Sequence, residues 1–502
     1  MKNVIQYLEK TVASFPQKEA VHDSEMSVTF SELWASAKKI SNVLSASKLG
    51  VNNPICVYVP KGCRMVEAFA GINMSGNFYV PLDVKSPNTR IEAIITTLES
   101  KCVVTVKAYE RQLRTFFDGI VVVVEDAVNV EKEDANQWYS SIDAAPVYAI
   151  FTSGSTGVPK GVVIAHRGVV DYIEWAVSRF KIDSNCVIGN QAPFYFDNST
   201  LDIYLMYATG ATLNIVPESY FAFPAKLVDY LNDNKISFVF WVPSVLVNVA
   251  NLNILESKRP LFLKDIFFAV EVMPNKHLNY WRKYLPSCRY VNLYGPTEIT
   301  VDCTFYEVDR DFSDEESLPI GRPCRNSDVM ILVDRKRKAK VDEQGELCVR
   351  GSSLALGYYN APEKTASSFI QNPLNQHYPE SIYCTGDIVY ENERGEIMFV
   401  GRMDSQIKHN GYRIELGEIE SAILNSGVID NCCVVYDSNK KSIVLFYQSK
   451  EELNKSDFRK NISNRIPHYM LPTEYYREET LKLNGSGKVD RAYYNKLCSG
   501  FA

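Results

Sequence analysis

Residues 152 to 161 read Thr152-Ser153-Gly154-Ser155-Thr156-Gly157-Val158-Pro159-Lys160-Gly161, directly after the apolar, strand-like run Val147-Tyr148-Ala149-Ile150-Phe151. Four hydroxyl side chains, three glycines and one lysine make a poor core and a good cradle for polyphosphate. Glycine lets the backbone approach phosphate oxygens, and free N–H groups and hydroxyls then donate to them. Lys160 adds a positive charge. The spacing is not G-x-x-x-x-G-K-[ST], because this lysine follows a proline and precedes a glycine. On composition alone a solvated Ser/Gly turn reads the same way.

Around this stretch the first four hundred residues alternate short apolar runs with helix-like segments. Ile55–Val59, Val103–Val106 and Val121–Val124 read as buried strands. From Ser31 to Leu44, Leu33, Ala37, Ile40 and Leu44 recur at three- and four-residue steps, the period of an amphipathic helix. Such alternation predicts α/β layering on largely parallel sheets. Near Gly401 to Asp404 the pattern changes. Ile419, Ala422 and Ile423 share a helical face, Cys432–Tyr436 and Ser442–Tyr447 are two strand-like runs, and Phe458, Ile462 and Ile466 mark a helix ended by Pro467. The expectation is a large α/β domain over residues 1–402 and a small α+β lid over 403–502.

At 502 residues the chain exceeds one ordinary core. A formal net charge of −6 argues against a nucleic-acid partner, which calls for clustered Lys and Arg. The twelve cysteines form no C-x-x-C pair and read as reduced structural thiols, and the six histidines show no ligand spacing. No apolar run reaches the roughly 18 residues of a membrane span, and Glu9-Lys10 interrupt the N-terminus too early for a signal peptide. A cytoplasmic protein is expected.

The phosphate-cradle stretch belongs to an ordered set. It is preceded by Val28-Thr29-Phe30-Ser31-Glu32-Leu33 and Tyr79-Val80-Pro81-Leu82-Asp83. Phe196-Asp197-Asn198-Ser199, Asn292-Leu293-Tyr294-Gly295-Pro296-Thr297-Glu298 and Gly345-Glu346-Leu347-Cys348-Val349-Arg350-Gly351 follow it. Tyr383-Cys384-Thr385-Gly386-Asp387, Gly401-Arg402-Met403-Asp404, Gly411-Tyr412-Arg413-Ile414-Glu415 and Gly485-Ser486-Gly487-Lys488-Val489-Asp490-Arg491 complete it. This set resembles the motifs of the adenylate-forming enzymes over nearly the whole chain. Within that family the resemblance runs to amino-acid adenylation domains of nonribosomal peptide synthetases and to D-alanine–carrier protein ligases.

The resemblance implies an ANL-type fold, a layered N-terminal domain with a mobile C-terminal lid. It also implies attack of a carboxylate on the α-phosphate of ATP, giving an acyl-adenylate and pyrophosphate. Thr152, Ser153, Gly154, Ser155, Thr156, Gly157 and Lys160 would handle the phosphates. Glu298 would hold Mg²⁺, a hard cation that takes oxygen ligands, and Thr297 would contact the α-phosphate. A solvated loop carboxylate is the ordinary alternative for Glu298. Tyr294 would stack on adenine, Asn292 would bond its edge, and Asp387 would accept from the ribose hydroxyls. Arg402 and Arg413 resemble the family's paired arginines. Lys488 would neutralise charge in the transition state, Asp404 matches the hinge, and Gly411 matches the glycine beside the pantetheine arm.

Asp197 separates subclasses. A buried carboxylate lining a pocket needs a cation, and the resemblance pairs it with an α-ammonium, against an acyl-CoA or aryl-CoA ligase. Intact Lys160, Glu298, Asp387 and Lys488 argue against a non-catalytic relative. The side-chain pocket would be walled by Asn198, Leu201, Phe240, Phe267, Ala269, Leu293, Val301 and Asp302, small enough to favour serine, then alanine. Asp302 in that wall wants a donor. Only fourteen residues follow Lys488, so the expected partner is a separate carrier protein bearing a phosphopantetheine arm. Two departures stand out: Ala269-Val270-Glu271 replaces a glycine-bearing turn, and Gly-Ser-Gly-Lys replaces Pro-Asn-Gly-Lys.

Overall fold

A computed structural model describes residues 1–127, 137–154, 159–449, 452–484 and 489–499. Ser155, Thr156, Gly157 and Lys488, all expected at the phosphates, lie outside the described residues. The chain divides into two compact units. The first comprises Met1–Leu82, Leu98–Ile150 and Gly161–Met403; the second comprises Asp83–Thr97, Phe151–Lys160 and Asp404–Ala502.

In the first unit, strands Pro54–Tyr58, Phe78–Pro81, Cys102–Thr105 and Ile120–Val123 pair in parallel inside a seven-stranded sheet. Pro54–Tyr58 is buried at every position, as a continuous apolar run covered on both faces should be. A nine-stranded sheet holds a second parallel set: Glu19–His22, Thr212–Ile215, Val187–Asn190, Phe238–Trp241, Asp265–Phe268 and Arg289–Tyr294. The helix expected from Ser31 to Leu44 spans Phe30–Ala46 and buries Leu33, Ala37, Ile40 and Leu44. Its start is fixed by a capping box in which the Thr29 side chain accepts from the Glu32 N–H and Glu32 accepts from the Thr29 N–H.

A third sheet of the first unit departs from the expected parallel pattern. Ser327–Val333, Gly345–Gly351, Ser381–Glu391, Ile397–Arg402 and Phe369–Gln371 pair antiparallel. Two of the connections are tight hairpins with left-handed residues: Asp334 and Arg335 turn Ser327–Val333 into the short strand Arg337–Lys338, and Gly395 turns Ser381–Glu391 into Ile397–Arg402, too closely for helical crossovers.

In the second unit, Asn431–Asp437 and Ser442–Gln448 are the two expected strands, and Glu474–Glu478 adds to the latter in parallel. Leu416–Leu424 is helical and buries Ile419 and Ile423. The next helix, Lys455–Ile462, ends a turn earlier than its periodicity suggests, although Ile466 remains buried in the same cluster. The final helix, Arg491–Ser499, buries Tyr494 against Phe446.

Candidate active site

Strand ends and the turns after them carry most of the candidate residues. Arg289–Tyr294 delivers Asn292 and Tyr294. A tight turn follows, and it requires Gly295, since a Cβ there would lie 2.3 Å from the Val301 carbonyl oxygen. Thr297–Ile299 forms one 3₁₀ turn. Thr300 and Val301 then adopt φ of 58° and 70°, a left-handed conformation that costs a β-branched residue energy. That strained step aims Asp302 back into the unit.

Glu298 is fully buried. It is therefore no solvated loop carboxylate. The Tyr358 hydroxyl donates to Glu298 Oε1 at 2.8 Å. The Glu298 carboxylate oxygens are hard donors, and the buried Thr297 hydroxyl is beside it in sequence. This donor set fits Mg²⁺.

Asp387 sits on the strand Ser381–Glu391 and is buried. Arg402 Nη1 donates to its Oδ1 at 2.5 Å, and the Tyr294 hydroxyl donates to its Oδ2. Strand pairing sets Arg402 directly opposite Asp387. Burial, then the Asp387 charge, push the Tyr294 hydroxyl well above its ordinary pKa, which keeps it a donor. Asn292 donates to the Pro319 carbonyl at 2.8 Å.

The residues expected to wall a side-chain pocket form a different kind of assembly. Leu201, Phe240, Phe267, Ala269, Leu293 and Val301 all fall in one packed cluster. Phe240 and Phe267 are register partners on adjacent parallel strands, and Phe267 pairs on to Val291. Leu293 lies two residues beyond Val291 on the same face of its strand, and Ala269 directly follows the end of the strand Asp265–Phe268. Phe180 stacks edge-on against Phe267 at 4.5 Å between centroids. Asp197 occupies the N-cap of the buried helix Asn198–Thr209, so the same helix supplies Asn198 and Leu201.

Three tyrosines and an aspartate carry no motif that marks them. Tyr172 donates to Asp302 Oδ2 at 2.6 Å; burial, then the Asp302 charge, raise its pKa well above the ordinary value. Tyr148 is likewise raised by burial, and the Asp197 charge adds to the effect. Tyr358 holds Glu298. Asp202, one turn beyond Asn198, is fully buried, and burial pushes its carboxyl up to about 7. Asn190 Nδ2 donates to its Oδ2 at 2.7 Å, while Asp202 Oδ1 and Asn190 Oδ1 find no hydrogen-bond partner among the described residues. Only proximity in the fold links these side chains to the motifs, 130 residues apart in the case of Tyr172 and Asp302.

The second unit holds the remaining candidates. Thr152 Oγ1 is buried and finds no partner among the described residues, the condition of a hydroxyl that lacks its acceptor. Ser153 Oγ donates to the Arg413 carbonyl at 2.8 Å and accepts from the Glu415 N–H at 3.1 Å. The Gly154 N–H donates to Glu418 Oε2 at 3.2 Å, and Glu418 is ion-paired with Arg90. Lys160 opens the strand Lys160–Ala165. Arg413 Nε donates to the Gln406 side chain at 2.7 Å. Asp404 Oδ1 accepts from the Gln406 N–H at 3.1 Å. Gly411, with φ of 82°, and Asn410, with φ of 51°, turn the hairpin between Gln406–His409 and Tyr412–Glu415, as a type I′ turn requires.

The fold is that of the adenylate-forming enzymes. It superposes on an artificially fused adenylation–PCP di-domain, NpsA-ThdA, from Klebsiella oxytoca with a TM-score of 0.82 at 20% identity, covering 95% of this chain and 94% of that one. The Vibrio cholerae adenylation domain AlmE gives 0.82 at 20% identity, covering 99% and 98%. The sequence pattern of the family described as AMP-binding enzyme matches residues 8–359, and the chain belongs to that family, as an AMP-forming ligase that uses ATP. Among relatives, zwittermicin A synthase ZmaJ of Bacillus cereus is 32% identical over 98% of this chain and 94% of its own length. The L-proline–[L-prolyl-carrier protein] ligase of Pseudomonas fluorescens is 30% identical over 98% of both chains. Tyrocidine synthase 1 of Brevibacillus parabrevis is 29% identical over 98% of this chain, which spans 44% of that protein. Among the described residues no helix is long and apolar enough to cross a membrane.

Proposed function

We propose that the chain activates a small α-amino acid, serine or alanine, and passes it to the phosphopantetheine thiol of a separate carrier protein in the cytoplasm. The observation that carries this reading is Asp197, at the N-cap of a buried helix whose next turn places Leu201 in the packed cluster with Phe240, Phe267, Ala269, Leu293 and Val301. A carboxylate at the head of a close-packed apolar slot suits an α-ammonium attached to a short side chain. The likeness to a prolyl-carrier protein ligase supports an amino acid as the acid and a carrier as the acceptor.

A substrate carboxylate oxygen attacks the α-phosphorus, the bond to the bridging oxygen breaks, and pyrophosphate leaves. Thr152 and the loop Ser153–Gly157 with Lys160 take up phosphate oxygens, and Lys488 meets the charge that grows between carboxylate and phosphate. Mg²⁺, held through Glu298, supplies further charge neutralisation when bound. Asn292 and Tyr294 hold the base, Asp387 the ribose, and Arg402 holds the Asp387 carboxylate in place; Arg413 contacts the nucleotide. The thiol of the carrier then attacks the acyl carbon and AMP leaves. Residues 1–402 act as the core and 403–502 as a lid that rotates about Asp404, with the arm passing Gly411.

Tyr172 already supplies Asp302 with one donor. A serine hydroxyl would therefore add a second bond to that carboxylate, whereas alanine would leave the Tyr172 bond undisturbed. Amino-acid-dependent ATP–pyrophosphate exchange across the twenty amino acids and D-alanine tests the reading. Exchange with serine or alanine is expected; exchange driven by a large aromatic or acidic amino acid overturns the pocket, and exchange driven only by fatty or aryl acids overturns the class of substrate.

A further inference from the structure

Two cysteines of the antiparallel sheet face each other. Cys348 lies on Gly345–Gly351 and Cys384 on Ser381–Glu391, and they are direct register partners. Opposed residues of antiparallel strands hold their Cα atoms about 4.5–5.5 Å apart, inside the window of about 4.4–6.8 Å that a disulfide spans. Here the sulfurs are 3.5 Å apart, with the Cys348 thiol donating to Cys384 Sγ. The adjacent pair Cys432 and Cys433 is different, since those side chains enter separate clusters.

The surroundings sort the possible chemistries. Cys348, Cys384 and Glu346 bring their ligand atoms within 4.8 Å of one another, the outline of a metal site. Glu346, however, is held by Arg335 through Nε at 2.6 Å and Nη2 at 2.9 Å, and it accepts the Gly386 N–H at 3.0 Å. Its oxygens answer a guanidinium, and the cysteines otherwise pack with Met330, Leu332 and Ile382. Two sulfurs in an apolar setting, whose one neighbouring carboxylate is already engaged, suit each other better than a cation. The hydrogen bond from Cys348, and the Arg335 charge after it, pull the Cys384 thiol below its ordinary pKa, while Cys348 is pushed up. Both thiols are buried, but Cys384 is the more accessible, 6% exposed against 0% for Cys348, which makes Cys384 the attacking and Cys348 the resolving sulfur.

We propose that Cys348 and Cys384 are a reversible thiol–disulfide pair, closed across the two strands by a peroxide and reopened by a dithiol. Cys384 Sγ attacks one peroxide oxygen; the O–O bond breaks, leaving a sulfenic acid and water. Cys348 Sγ then attacks that sulfur, the S–O bond breaks, and the departing hydroxide leaves as water with the Cys348 proton. Two thiols and one hydrogen peroxide become one disulfide and two waters. Closure pins the strand that carries Asp387 three residues further on.

The full chain, stripped of reductant, is treated with hydrogen peroxide, alkylated, digested and analysed by mass spectrometry, with zinc content measured beforehand. A peptide pair linked through Cys348 and Cys384, lost on addition of dithiothreitol, is expected. In C348S a dimedone adduct should accumulate on Cys384, and in C384S Cys348 should stay unmodified. Absence of the linked pair in the wild-type chain overturns the proposal, as does stoichiometric zinc that both substitutions release. The wild-type result decides the matter even if a serine variant fails to fold.

Discussion

Phe240 and Phe267 face each other on paired strands inside one packed cluster, whereas Thr152, Glu298 and Asp387 offer oxygen atoms along strands and in the turns that follow them. The first group is apolar, fixed by register and supported on all sides. The second is polar, and its members are single atoms held by few partners each. Close packing makes a pocket sensitive to volume, while isolated charges make a reaction sensitive to one group. Selectivity and rate should therefore respond to different substitutions.

The largest expected effect tests the polar side. Lys488→Ala should raise the adenylation barrier by about 3–4 kcal/mol, two to three orders of magnitude in pyrophosphate exchange, with ATP still bound. Near-normal exchange would remove this lysine from the reaction and blur the distinction. On the packed side, Asp202 should make stability depend on pH. Its carboxyl is raised from 3.8 to about 7 in the folded chain, so the folded state keeps a proton that the unfolded state releases. This contribution is complete below about pH 4 and is lost as pH rises through 7, about 2 kcal/mol of it between pH 5 and 7. Thermal midpoints measured across that range should fall, and Asp202→Asn should flatten the trend, because an amide can also donate to Asn190 Oδ1. An unchanged slope in the variant would assign the pH dependence elsewhere.

Tyr172→Phe probes the seam between the two kinds of site. Removing the donor to Asp302 leaves a buried carboxylate short of one bond, a loss of about 1.5 kcal/mol. The KM for the amino acid should rise while that for ATP holds. Equal changes in both would mean that Asp302 serves the fold and not the pocket.

How far the sequence could be read follows the same division. The phosphate stretch, the Tyr-Gly-Pro-Thr-Glu turn and the strand carrying Asp387 are each contiguous in sequence, so the residues proposed for the chemistry can be named one by one from the sequence. Helical periodicity is of no use there, but it locates Phe30–Ala46, where Leu33, Ala37, Ile40 and Leu44 are all buried. Tyr172 and Tyr358 are invisible in the sequence because each meets its carboxylate across a long stretch of chain, with no spacing to mark it. The burial of Glu298 is equally hidden, since a turn composition says nothing of what packs over the turn. Glu474–Glu478 lacks apolar alternation, so its place beside Ser442–Gln448 comes from pairing alone.

The smallest effect concerns the one turn where the chain departs from a glycine-bearing pattern. Val270 takes φ of 78°, a conformation glycine adopts freely and a β-branched side chain does not. It follows Ala269, proposed as a pocket wall, so on that reading strain at 270 bears directly on how the wall is presented. Val270→Gly should relieve the local strain, on the order of 1 kcal/mol, and the gain is partly offset by the greater freedom of glycine in the unfolded chain. The valine is half-buried against the packed clusters, so losing it also forfeits some apolar contact. A midpoint shift of no more than about a degree or two is expected, with the amino-acid preference broadened because the wall loses a support. If preference stays fixed while stability rises, the valine is only a strained substitute for glycine. If preference broadens while stability falls, the valine is part of the packed pocket, and that pocket extends one residue beyond the wall read from the sequence.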